Sequence, residues 1–282
     1  MATDPEPVYG DTNVLNHLHE QKGLSASDVI TVRRAARQKR FRLLASDVLI
    51  DETLATFSSD SSKARGLLTL LLELCEVRNS TILHHELLLG GDIRAFYGAG
   101  VTPDRFMDPA EAARLSSRLK RLADGRTDYA LIAAAQSQAK KEKREFRNLM
   151  RDAKKDMEER VAKLPSAPSF DQFRNLLAPQ LLGTLALALG VGDECLAQGI
   201  IGLMKVRTVQ AFLGYTTSML YAQTVEAKAP KYGDSNDQIH AFLATVADIF
   251  VSTDGDLRAH VIRSGIPNLE VLDLPEFIDR IR

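Results

Sequence analysis

Short apolar runs alternate with amphipathic stretches at both ends of the chain, while the middle is patterned for helices throughout. Val8-Tyr9-Gly10 reads as a brief strand that stops at Asp11 and turns directly into a helix over Thr12 to Gln21. Ser25-Ala26-Ser27-Asp28 then opens a second helix, reaching about Lys39. Arg42 to Ala45 predicts another strand, and Ser46-Asp47 can cap a helix carrying Val48, Leu49, Glu52 and Leu54. Ser61 to Val77 is a strongly apolar helix, and Ser80 to His84 is expected to be a short strand. From about residue 86 to 203 β-branched alternation disappears, and helices are expected over Pro109 to Leu122, Asp128 to Leu164 and Phe170 to Leu189. The third section returns to mixed patterning: a helix over Val206 to Ala227, another over Gln238 to Val246, strands at Ile249 to Ser252 and Leu269 to Leu272, and a last helix started by Pro275. The expected class is α/β, divided into residues 1–85, a helical insertion over 86–203, and 204–282.

Composition narrows the class of protein without choosing a partner. The 282 residues hold 36 basic and 37 acidic side chains, so any contact with nucleic acid has to rely on a local basic patch. Cys75 and Cys195 lie far apart in apolar surroundings, without metal-ligand or redox spacing, and read as buried thiols of a reducing compartment. Met1 to Pro7 is polar and acidic rather than leader-like, and Leu176 to Met204 is broken by Pro179, glycines, Asp193 and Glu194. Core helices and a cytoplasmic location, with no membrane contact, are therefore expected.

Acids recur at one kind of place. Asp11 follows the first strand, Glu52 lies in the first turns after the second, Asp237 starts a helix, and Asp254 with Asp256 follows the strand Ile249 to Ser252. In a parallel sheet such positions gather at one edge. Taken singly, Asp11 can cap a helix, Asp237 can be an N-terminal helix acid, and Asp254-Gly255 is ordinary turn chemistry. Taken together, they would crowd charge until cations neutralise it, and Mg²⁺ or Mn²⁺ suits oxygen donors of this kind. Two such ions can activate water for phosphodiester hydrolysis.

At these residues the chain resembles the PIN-domain family of metal-dependent nucleases. Val8 to Leu15 is similar to the family's opening strand followed by Asp-Thr-Asn, and Ser46 to Leu54 to its second acidic segment. Asp237-Gln238-Ile239-His240-Ala241 is similar to its Asp-x-x-His-Ala helix, Ala247 to Asp254 to its closing strand and acid, and Ile266 to Phe277 to its last strand and helix. The likeness covers roughly residues 6–85 and 204–280. It implies a three-layer α/β/α fold around a parallel sheet, with Asp11, Glu52, Asp237 and Asp254 binding Mg²⁺ or Mn²⁺ and cleaving RNA or DNA; an endoribonuclease is the leading expectation. Asp256 assists or takes the fourth place, Asn13 and Thr253 support the site from behind, and Asp234 is a turn or cap residue. Compact family members lack a middle section of this length, so substrate choice does not follow from the likeness.

The insertion carries its own pattern. Ala130 to Leu164 has neither proline nor glycine and places Lys140, Arg144, Arg147, Arg151 and Lys155 on one helical face. That ridge suits phosphate contacts that position a strand without reading its sequence; it also suits a solvated face paired with Glu142, Glu145, Asp152 and Asp156. His17, His19, His84 and His85 read as surface or satisfied core residues, and His240, three after Asp237, as a hydrogen-bonding group within the fold. Two other functions stay open: a toxin ribonuclease held by an antitoxin, and a non-catalytic binding module working through the insertion. So do a homodimer and a protein partner on the insertion.

Overall fold

The computed structural model describes residues 5–193, 199, 201–228 and 234–282. It is a mixed α/β, mostly helical structure around one four-stranded parallel sheet in the order β2-β1-β3-β4. The strands are β1 (Glu6–Gly10), β2 (Phe41–Leu44), β3 (Ile249–Val251) and β4 (Glu270–Leu272). Val8 lies opposite Leu43 on one side and Ile249 on the other, so β1 is central. The chain leaves β1 toward β2 on one side, yet β3 joins β1 on the other. The carboxyl ends of β1 and β3 therefore flank the point where the winding reverses, the place at which open parallel sheets form a crevice.

Side chains alternate across the strands into two apolar cores. Tyr9, Leu44 and Phe250 join Phe173, Leu220 and Phe242 in one; Val8, Leu43, Ile249 and Val251 join Leu15, Leu49, Leu71 and Phe277 in the other. The first-section helices are α1 (Thr12–Glu20), α2 (Ala26–Arg37), α3 (Asp47–Ala55), α4 (Ser61–Leu74) and the single-turn α5 (Val77–Ser80). Their starts follow from local chemistry: Asp11 accepts from the Val14 amide, Ser25 and Asp28 form a capping box, and Ser46 accepts from the Leu49 amide. The expected helix to Val77 stops at Leu74, because Cys75 is extended; its buried thiol is pushed well above the ordinary range by desolvation. Cys195 lies outside the described residues. The strand expected over Ser80 to His84 shrinks to two single bridges, Thr81 with Ala45 and Ile82 with Phe106, because Val77–Ser80 folds into a turn of helix instead.

The middle of the chain forms α6 (His85–Phe96), α7 (Pro109–Ala123), α8 (Tyr129–Val161) and α9 (Phe170–Ala188). Helix α8 is 33 residues long, about 50 Å at 1.5 Å per residue. It contributes Ala135 to one core and Met150 and Met157 to the other, so it runs alongside both. The remaining helices are α10 (Arg207–Thr224), α11 (Asp234–Leu243), α12 (Gly255–Ser264) and α13 (Leu274–Ile281). Buried Asp92 on α6 accepts from Thr208 on α10 at 2.7 Å and from Arg105 at 2.8 Å, which ties the helical middle to the last section. Among the described residues no helix is long and apolar enough to cross a membrane.

Helices α10 and α12 pack tightly at Gly214. A Cβ built there would stand 2.8 Å from the Ser264 carbonyl oxygen and from its Cβ, and backbone cannot swing aside as a flexible side chain can. Gly214→Ala is expected to destabilise the protein by about 1–3 kcal/mol through overpacking, despite alanine's better helix propensity. Chemical denaturation measures this; an unchanged midpoint would show that the two helices separate freely.

Candidate functional site

Three of the acids singled out in the sequence share one cavity. Asp11, Glu52 and Asp237, with Thr12, Asn13, Asn16, Thr56 and His240, line a space of about 200 Å³ at the carboxyl end of β1. Asp11 follows β1, Glu52 lies on α3 and Asp237 in the first turn of α11, so three remote segments supply the carboxylates.

Asp11 and Glu52 are held by different sets of donors. Asp11 is almost wholly buried; its Oδ1 accepts from the Val14 amide at 3.0 Å and its Oδ2 from the Ser252 hydroxyl at 2.6 Å. Burial pushes its pKa above the ordinary carboxylate value, opposed by His240 and by these two bonds. Ser252 also accepts from the Asp254 amide at 3.0 Å, so one hydroxyl links the ends of β1 and β3. Glu52 accepts from Thr12, from Asn236 and, at 3.0 Å, from His240 Nε2. Desolvation works to raise the Glu52 pKa, yet these partners hold it below its usual value. For His240, desolvation alone would lower the pKa; Glu52 outweighs it, with Asp11 and Asp237 adding to the rise. The pair is therefore a partly buried charge-assisted hydrogen bond.

Asp237 is the group under most tension. Desolvation pushes its pKa up to about 7, His240 counters this, and the negative charges of Asp254, Asp11 and Glu52 add to the rise. It also lines a second cavity, of about 350 Å³, together with Asp254, Asp256, Lys228, Tyr215 and His260. Asp254 lines this second cavity and is not among the residues lining the first. Its Oδ1 accepts from the Asp256 and Leu257 amides, the helix-capping role that the Asp-Gly turn also allows. Both acids of that turn face the second cavity, three carboxylates line the first, and Asp237 joins them.

The supporting residues differ from those expected. Asn13 lines the first cavity and is exposed, while the hydroxyl that fixes Asp11 belongs to Ser252. Thr253 has no hydrogen bond among those described, whereas Thr12 reaches Glu52. The side chain of Asp234 lies outside the described residues. Tyr9, expected only as part of the first strand, is fully buried, and its hydroxyl lies 2.7 Å from His240 Nδ1 and 2.9 Å from Ser46 Oγ. A continuous line of hydrogen bonds thus runs from Ser46 through Tyr9 and His240 to Glu52. The one sequence clue to it was the three-residue spacing from Asp237 to His240, which sets both on one face of α11.

The basic ridge is exposed at Lys140, Arg144, Arg151 and Lys155, and the Arg147 side chain lies outside the described residues. Arg151 contacts Asp152, and Asp156 pairs with Arg160, so part of the ridge follows the solvated-face reading; the side chains of Glu142 and Glu145 lie outside the described residues. Helix α8 packs against α3 and α11, the helices that carry Glu52 and Asp237. His19 lies over Gly66 of α4 and serves packing. No protein family matches the chain, and no curated protein or solved structure is detectably similar to it.

Proposed function

We propose that this protein is a divalent-metal-dependent nuclease that hydrolyses phosphodiester bonds, acting on RNA in preference to DNA, with a PIN-like three-layer core and residues 86–203 as a helical insertion. The observation that carries the reading is the convergence of Asp11, Glu52 and Asp237 from three remote segments on one cavity at a sheet reversal. The donors suit a hard cation: all three are carboxylates, and burial, with lesser help from neighbouring carboxylates, raises the pKa of Asp11 and Asp237, whose ionised forms a bound cation would favour. The chemistry a bound Mg²⁺ or Mn²⁺ supplies at such a cluster is activation of a water and neutralisation of charge on the phosphate.

The chain's own residues would provide orientation. Ser252 and the Val14 amide hold Asp11, while Thr12, Asn236 and His240 hold Glu52, so both carboxylates are aimed before substrate arrives. Asp237 is shared between two cavities, and with Asp254 and Asp256 it extends the acidic surface beyond the first. Phosphate contacts would fall to Lys140, Arg144 and Lys155 on α8, the helix packed against α3 and α11.

The test is incubation of the full chain with Mn²⁺ or Mg²⁺ and a panel of single- and double-stranded RNA and DNA. Cleavage that stops on chelation is expected, with RNA cut faster than DNA. Joint neutralisation of Lys140, Arg144 and Lys155 should weaken substrate binding and reduce its salt dependence, with kcat little changed. Failure to cleave any member of the panel with either ion would remove the reading.

A further inference from the structure

A second cluster of ligating side chains lies outside the carboxylate cavity and joins residues 37 positions apart in the chain. Asp47 is the first residue of α3; His84 caps α6 and His85 opens it. The Asp47 Oδ2 atom stands 3.2 Å from His84 Nε2 and 3.8 Å from His85 Nδ1, and one ligand atom from each residue lies within 4.8 Å of the others. The two imidazoles stack at 4.3 Å with a 29° angle between their planes.

These distances suit one small cation. Zinc bound tetrahedrally at about 2.0–2.1 Å holds neighbouring donors about 3.3 Å apart, so inward shifts of about an ångström or less in the histidine rings would complete the arrangement. The donor set, two imidazoles and a carboxylate, is softer than the all-oxygen cluster around Asp11 and favours Zn²⁺ where that cluster favours Mg²⁺ or Mn²⁺. The other Asp47 oxygen, Oδ1, accepts from the Val48 amide at 2.8 Å, which leaves Oδ2 turned toward the histidines. The three side chains are 23%, 31% and 20% exposed, enough for an ion to enter from solvent. One contact has to change: His84 Nδ1 accepts from the Glu86 amide at 3.3 Å, and ligation through Nε2 moves the ring proton onto Nδ1. That hydrogen bond is long, so little is lost with it.

We propose that Asp47, His84 and His85 form a zinc site, with its remaining position open to water, that clips the start of α6 to the start of α3. The site is separate from the carboxylate cavity. Five residues, about 7.5 Å of helix rise, separate Asp47 from Glu52 on α3. The proposal does not depend on nuclease activity. An ion held there fastens the beginning of the long helical middle section to the sheet, since only Ala45 and Ser46 separate β2 from Asp47.

The test titrates Zn²⁺ into metal-stripped full-length protein against a chromophoric chelator, in an Asp11→Asn background that weakens the carboxylate cluster. His84→Asn with His85→Gln is the deciding variant, because asparagine retains a helix-capping side chain. Zinc affinity should fall at least tenfold, roughly the lower bound for loss of even an outer partner of a metal ligand. Zinc should also raise the melting temperature of the parent but not of the double variant. Asp47→Asn, which keeps the shape of the side chain, should give the same loss and serves if the double variant fails to fold. Equal zinc affinity with and without these side chains, or no binding by the parent, would overturn the site and leave a plain aspartate–histidine cap.

Discussion

Asp11→Asn is expected to lower Mn²⁺-supported cleavage by roughly 10²–10³-fold, the size of effect seen when one fixed electrostatic group is removed from an active site. The fold should survive. Asparagine keeps an oxygen that can accept from the Val14 amide, so the start of α1 remains capped. The carboxylate is disfavoured where it stands, since burial raises its pKa, and a neutral amide removes that penalty. A denaturation midpoint close to the parent's, together with a fall in kcat, is the expected result. Undiminished cleavage would mean that Asp11 is only a helix cap, the role its contact with Val14 also supports.

What the sequence conveyed about this site depends on which interactions are local. Asp11 was legible because a strand, an acid and a helix follow one another within a few residues, and the helix needs a cap there whatever else the acid does. Helix α8 was legible because 35 residues from Ala130 to Leu164 contain neither proline nor glycine. Partnerships across the fold were not legible. Tyr9 occupies an apolar strand and looks like core until α11 brings His240 to its hydroxyl, 231 residues away. Asp47 looked like a helix-start acid, and His84 and His85 like surface residues, until the bridge between Ala45 and Thr81 drew the two segments together. The separation of Asp254 from the first cavity was equally hidden. The Asp-Gly turn pattern alone does not say which cavity its acids line.

Asp237 gives the second large effect, in stability rather than rate. Its pKa in the folded chain is about 7, against an ordinary aspartate value of 3.8. A carboxyl raised on folding binds its proton more tightly in the native state, so its stabilising contribution is full below about pH 4 and is lost as pH rises through 7. Metal-free protein should therefore lose, between pH 5 and pH 8, stability that the Asp237→Asn variant keeps. One pKa unit corresponds to about 1.4 kcal/mol. With allowance for coupling to His240, the variant should gain about 1–3 kcal/mol on the parent over this interval. Urea denaturation of both proteins at the two pH values, in chelator, measures the difference. Asp47, whose pKa is lowered, acts in the opposite direction but equally in both proteins, whereas Glu52 and His240 interact with the Asp237 charge, so comparison with the variant reports Asp237 together with its coupling to these two groups. Adding Mn²⁺ at pH 8 should then stabilise the parent more than the variant, because a bound cation favours the ionised carboxyl that burial and neighbouring charge oppose. Parallel pH profiles for the two proteins would show that Asp237 titrates normally, and that neither burial nor neighbouring charge perturbs it in the folded protein.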